Sequence, residues 1–218
     1  MNLIKKFYER IKGKGSYFGL GGVLISLITI ITSIFLYIQA DPTFSFFTDF
    51  ISFLGIGPNN SDIVFNVGVI VSAPFMLVFY SYLAAFLINR VEDHKEILII
   101  AIIAAVFNCI GNILLAVYTN NSNLAMHLIG AYIAFGAYFA LACIFSFVEM
   151  KMAEFNRLVA ISGFIPCLLL IGHVVLLFIL YYTGIFPALP IFIEWVMFFI
   201  MMGWIGIQCL YVFSLDKE

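Results

Sequence analysis

Six long apolar runs constrain this chain more than any other feature. They lie at roughly 16–39, 63–89, 97–118, 125–149, 158–183 and 191–213. A helix needs about 20 mostly apolar residues to cross the hydrocarbon core of a bilayer. Each run reaches that length, is continuously apolar rather than alternating, and exceeds strand length several-fold, which predicts helices. The alternating segments of about ten residues that mark a transmembrane β-barrel are absent. The expected fold class is therefore all-α: a polytopic membrane protein, a bundle of six transmembrane helices.

Composition excludes the other classes. Of 218 residues, 64% are hydrophobic and 10% charged, where soluble domains carry about 25% charged residues. With a mean hydropathy of +1.14, neither a soluble globular domain nor a disordered chain fits. Ten basic against 12 acidic residues leave a net charge of −2. No nucleic-acid partner is expected, because such a chain has no phosphate-binding face. The short connections leave no room for a soluble domain. The division is a basic N-terminal segment, 1–15, a six-helix domain, 16–213, and a short tail, 214–218.

Lys5, Lys6, Arg10, Lys12 and Lys14 precede the first run, as they would precede a signal peptide. The apolar stretch from Tyr17 to Ile38 is too long for an h-region of about 7–15 residues. Ile38-Gln39-Ala40 also lacks the small residue expected two positions before a cleavage site, so an uncleaved first helix is predicted. Arg90, Lys95, Lys151, Arg157 and Lys217 join those five residues on one side of the membrane. The opposite loops, roughly 40–62, 119–124 and 184–190, have no Lys or Arg. Basic residues stay cytoplasmic, which predicts a multi-pass cell-membrane protein with both termini inside.

Cys109, Cys143, Cys167 and Cys209 all fall within spans without CxxC spacing, which argues against a disulfide framework or zinc finger. Pro74 and Pro166 are expected to kink spans two and five. The pairs Gly130/Ala134 and Gly136/Ala140, four apart, predict close packing of span four, and Gly19, Gly21, Gly22, Gly203 and Gly206 extend that to spans one and six. Such faces also suit a homo-oligomer or a membrane-protein partner.

Two features point to a site. The first outer loop joins an aromatic, partly amphipathic stretch, Phe44–Leu54, to turn chemistry at Gly55–Asn60. The first part predicts a short helix in the headgroup region, acting as a tether or a substrate lid. Ser61 or Asp62 is positioned to cap the second helix. The other feature is the set of polar residues in the outer halves of the spans, each of which must be hydrogen-bonded or functional. Asn66 and Glu194 lie about one turn inside their spans, and His127 sits at an outer end. Asn108 and Asn112 share a helix face, and His173 lies about ten residues deep. With Asp49 and Asp62 from the loop, these are the candidate ligand-binding residues of a cavity opening outward. Packing glue between helices is the competing role for the amides and imidazoles, at about 0.6 kcal/mol per bond. His173, Glu194 and His127 are the candidates if the cavity does chemistry, with imidazole as the base. Asp62, His127, His173 and Glu194 have suitable metal-ligand types but no spacing signature such as HExxH, so no metal is expected. No motif names a cofactor.

The run Asp41-Pro42, then Thr48-Asp49-Phe50-Ile51-Ser52-Phe53-Leu54-Gly55-Ile56-Gly57-Pro58-Asn59, then Val64-Phe65-Asn66, resembles a prokaryotic six-span family, the domain of unknown function nine-nine-eight. Glu194-Trp195 at the start of the last span extends the resemblance, while Phe53 stands where that family usually has an acid. The family is similar to the Frag/DRAM/Sfk group, linked to GPI-anchor remodelling, lipid asymmetry and autophagy. The resemblance implies a six-span fold and membrane lipids as partners, without a mechanism. The expected function is binding or sensing of a lipid headgroup. The alternatives are an intramembrane enzyme acting on an outer-leaflet lipid and, behind it, a small transporter, whose repeat and charged pathway are not visible.

Overall fold

The computed structural model describes residues 3–216, Glu92 without its side chain. Among them are eight α-helices and two 3-10 helices, and no strand. The helices are α1 Leu3–Ile11, α2 Gly15–Ala40, α3 Ser61–Ile88, α4 Lys95–Val117, α5 Leu124–Glu149, α6 Arg157–Ser162, α7 Phe164–Thr183 and α8 Ala188–Leu215. Six units are long and apolar enough to cross a membrane: α2, α3, α4, α5, α6 with α7, and α8. They form a ring in which α2, α3, α4, α5, α7 and α8 each pack on the next, and α8 closes back onto α2. The first span is thus a full wall of the bundle.

Both ends of the described chain depart from expectation, while the proline expected to disturb span five does so. The basic N-terminal segment contains a helix, α1, whose Tyr8 is buried against the bundle while Lys5, Lys6 and Arg10 stay exposed. Gly13, at φ 69°, makes the left-handed turn that folds α1 back against α3. The fifth span is broken between Ser162 and Phe164. Pro166 explains the position, because a proline cannot donate to, and collides with, the carbonyl four residues earlier, here Ser162. Pro74, in contrast, sits within an uninterrupted α3. At the far end the C-terminal segment is no free tail, since α8 runs to Leu215 and Asp216 is buried; Lys217 lies outside the described residues.

The small residues divide. Gly111 and Gly130 bring the backbones of α4 and α5 together, with the Ala134 and Leu115 amides standing where their Cβ atoms would be. Gly19 and Gly22 likewise receive Phe79, Cys209 and Met76. Gly136, Gly203 and Gly206 face open space, where a Cβ would meet nothing within 4 Å among the described residues, so the close packing expected there is absent from them. Their span neighbours already fill the contact seam, which leaves these positions on the outer side.

The path of α3 decides the interior. Its second half, Phe79 to Leu87, is buried on nearly every side by α1, α2, α4, α5 and α8. Its first half runs along the rim, with Ile63, Val67, Ile70 and Val71 exposed. The end that carries the basic residues is therefore filled by a central helix. The other end has no such helix, and a cavity forms there.

Candidate functional site

The cavity has a volume of about 990 Å³ and receives side chains from all six spans. Asn108, Asn112, His127, His173 and Glu194 all line it. Asp49, Asp62 and Asn66 do not, although the sequence grouped them with the others. Loop residues Phe50, Ile51, Phe53 and Ile56 form its roof.

That roof is not the surface-lying helix expected from Phe44–Leu54. Turns occupy 42–43 and 46–48, and the helical part is a six-residue 3-10 helix, Ile51–Ile56, with Ile51 and Leu54 buried against Phe65, Ile30 and Trp195. The reason lies in α8. Trp195 Nε1 donates to the Asp49 carbonyl at 2.8 Å, and Glu194 Oε2 accepts from the Ile51 backbone N–H at 3.1 Å. These two bonds draw the loop into the end of the bundle. Asn66 Nδ2 donates to the Gly55 carbonyl at 2.9 Å, and any side chain at Gly55 would strike Phe65 and Asn66. Asp49 accepts from the Ser45 N–H and the Thr48 hydroxyl, closing the turn before the 3-10 helix. Asn120 Nδ2 reaches Ser52 Oγ at 3.4 Å from the next loop. The residues Asp49, Gly55, Asn66, Glu194 and Trp195 thus build a roof over the cavity.

Neither Ser61 nor Asp62 caps α3. Asn60 holds the N-cap position at φ 63° without a side-chain bond, and the Ser61 hydroxyl donates to the Leu54 carbonyl at 3.3 Å. The roof has taken the hydroxyl that would otherwise cap the helix.

The five lining residues that the sequence singled out share one design. Asn108 Nδ2 donates to the Ala134 carbonyl at 2.9 Å, joining α4 to α5, and Asn112 Nδ2 donates to the Asn108 carbonyl at 2.8 Å. His127 Nδ1 lies 3.1 Å from the Leu115 carbonyl and 2.9 Å from that of Tyr118. His173 Nδ1 lies 3.0 Å from the Pro190 carbonyl. Every one of these ties is to the main chain, so packing glue accounts for half of each side chain. The other half is left over. Asn108 Oδ1, Asn112 Oδ1, Glu194 Oε1 and Nε2 of both imidazoles have no hydrogen-bond partner among the described residues, and none is sealed from open space.

The cavity also opens sideways. Helices α5 and α7 meet near Phe139 and Cys167, where Cys167 Sγ lies 3.8 Å from the Phe139 carbonyl. Toward the roofed end the lining includes residues on the outer surface of both helices: Tyr132 is 73% exposed, Val174 54% and Ile171 49%. A Cβ at Gly136, which lines the same gap, would touch nothing within 4 Å. The opening faces the direction in which the apolar surface of the bundle faces.

Among the described residues no three of His, Cys, Asp and Glu gather closely enough to hold a metal ion. Neither cavity imidazole is hydrogen-bonded to a carboxylate.

Sequence reasoning passed over polar groups at the other end. Gln208 Nε2 donates to Glu149 Oε2 at 2.9 Å, both side chains wholly buried between α5 and α8. Asp216 accepts from the Tyr8 hydroxyl, from the Gly13 N–H at 2.7 Å and from the Tyr82 hydroxyl at 2.8 Å. Arg90 lies beside this group, 3.4 Å from the Tyr8 hydroxyl and from Glu154, with its guanidinium 3.7 Å from the Phe86 ring centre. The available signal was Asp216 immediately after an apolar run, which reads equally well as a solvated tail.

No family model, curated protein or solved structure matches this chain. The functional reading accordingly rests on the geometry above.

Proposed function

We propose that this multi-pass membrane protein binds an amphiphile, holding its headgroup in the roofed cavity while the apolar part leaves through the gap between α5 and α7. One observation carries the reading: a cavity of about 990 Å³ joins a sideways apolar opening to a set of half-used polar groups. Small-ligand sites generally combine apolar walls with a few convergent polar groups. The nine basic residues among the described ones cluster at the opposite end, so the roofed end faces outward and both termini are cytoplasmic. The ligand is then an outer-leaflet lipid. The motif resemblance to the six-span family named above points the same way, since its motif residues are those that build the roof.

Binding or sensing is favoured over lipid chemistry. The enzymatic alternative uses imidazole and carboxylate together as acid and base, and the two would have to reach one reacting group. Here each imidazole is instead oriented by main-chain carbonyls.

The test is to close the side opening. Gly136→Trp fills space that is now open, so the variant should fold with an unchanged unfolding midpoint. Mass spectrometry of purified protein should then show native lipid on the wild type and a loss of at least about tenfold on the variant, equivalent to about 1.4 kcal/mol. Equal lipid occupancy in a well-folded Gly136→Trp variant refutes the reading.

A further inference from the structure

The bonds that fix the cavity's polar groups also fix which atoms they turn inward, and this specifies the ligand's chemistry. A carbonyl oxygen only accepts, so any group bonded to one must be the donor. Asn108 and Asn112 bond main-chain carbonyls and must present Nδ2 to them, leaving each Oδ1 for the cavity. His127 and His173 present Nδ1 to carbonyls, so in the neutral ring Nδ1 carries the proton and Nε2 is a lone pair. His173 therefore does not offer the cavity a donor and an acceptor together. Glu194 receives the Ile51 N–H on Oε2 and keeps Oε1 free. The two amides and two imidazoles thus face inward as acceptors, and Glu194 Oε1 joins them in the carboxylate form. No Lys or Arg lines the cavity. Ser26, Thr29, Ser52, Ser72 and Tyr80 also line it, with hydroxyls that rotate to give or take a proton; of the loop amides, Asn120 spends a donor on Ser52, and Asn121 carries both a donor and an acceptor.

We propose, building on the amphiphile reading, that the cavity selects a headgroup rich in hydrogen-bond donors and without net negative charge, an alcohol, polyol or ammonium. Such a headgroup satisfies five acceptors that otherwise stay unpaired in an apolar wall. A phosphate or carboxylate headgroup meets lone pairs and one acidic side chain with no cation to offset them, which is the arrangement that excludes a ligand rather than attracting it. Glu194 sets the preference for ammonium, and the amides and imidazoles serve the hydroxyls.

The test compares probes that share one twelve-carbon chain and differ in headgroup: glycerol ester, primary ammonium and phosphate monoester. Each is titrated into the full chain in phosphatidylcholine nanodiscs and read by native mass spectrometry, with empty nanodiscs correcting for partition into lipid. The glycerol and ammonium probes should bind at least about tenfold more tightly than the phosphate. Asn112→Leu removes one acceptor whose only bond is within its own helix, so folding is spared and affinity for the glycerol probe should drop severalfold. Glu194→Gln should lower the ammonium probe's affinity and leave the glycerol probe's within about twofold. Phosphate binding as tightly as glycerol overturns this inference while leaving the amphiphile reading intact. Binding of none of the three overturns both. A donor preference that persists unchanged in Asn112→Leu and Glu194→Gln removes the assignment to these atoms.

Discussion

The Asp216 cluster at the basic end and the cavity at the roofed end treat polar side chains in opposite ways. At the basic end Asp216 has three donors on its two carboxylate oxygens, from α1, the turn after it and α3. Nothing is left for a ligand. At the roofed end each of five polar groups has spent one atom on the main chain and kept another open to the cavity. Packing accounts for the contrast, because Phe79–Leu87 fill the first end and α3 stands at the rim of the second. A buried polar group with every bond made strengthens the fold, whereas one with an atom in reserve is available for recognition.

The comparison predicts that equivalent truncations differ most between the ends in stability. Asp216→Ala strands the Tyr8 and Tyr82 hydroxyls and the Gly13 N–H, and should destabilise the protein by on the order of 3 kcal/mol. Denaturant unfolding in detergent measures it, and a cost below about 1 kcal/mol breaks the comparison. The same latch should respond to pH at both extremes. Burial pushes the Asp216 carboxyl up, but the hydrogen bonds from Tyr8, Gly13 and Tyr82 together outweigh it and hold the group below the usual carboxylate range. Its contribution is therefore complete above that range and is lost as pH falls through the lowered value. Burial, aided by the bond to Asp216, pushes the Tyr8 hydroxyl up to about 12. That contribution is complete below the ordinary tyrosine value and is lost as pH rises from about 10 to about 12. Wild type minus Asp216→Ala, plotted as unfolding free energy against pH, should be flat between these limits and shrink beyond each. A difference that grows in acid contradicts the latch.

A smaller effect is expected at the roof. Glu194→Ala and Trp195→Phe each delete one bond to the loop and should cost about 1 kcal/mol. The loss should be local, with hydrogen exchange accelerating in 45–56 while α3 and α4 keep their protection. Uniform acceleration through the bundle would place Glu194 in the global fold rather than in a movable roof.

The smallest effect on stability, and the sharpest on orientation, comes from single cysteines on the exposed loops. Ile185→Cys at the roofed end and Asp93→Cys at the basic end should leave the unfolding midpoint within about 1 °C, as exposed substitutions do. In intact cells an impermeant thiol reagent should label the first alone, and the second after permeabilisation. The reverse pattern would turn the roofed end, and its ligand, to the cytoplasm.

The sequence by itself determined the class of structure. Six runs of apolar residues admit little but six helices, since a backbone in lipid must satisfy its own hydrogen bonds. It also singled out Asn108, Asn112, His127, His173 and Glu194, because polarity within an apolar span has to be accounted for wherever it occurs. Helical spacing does not reveal which main-chain group a side chain will meet on another helix, and that alone decides whether an amide or imidazole faces inward as donor or acceptor. Only the tertiary structure could separate Asn66, whose amide holds the roof, from Asn108, whose carbonyl opens into the cavity. The same holds for Asp216: a carboxylate after the last span looks solvated until α1 folds back and brings Tyr8 and Gly13 to it. The course of α3 from rim to centre belongs to the tertiary level too. Its apolar residues continue around the whole helix, and only the packing of five neighbours determines which half of it they bury.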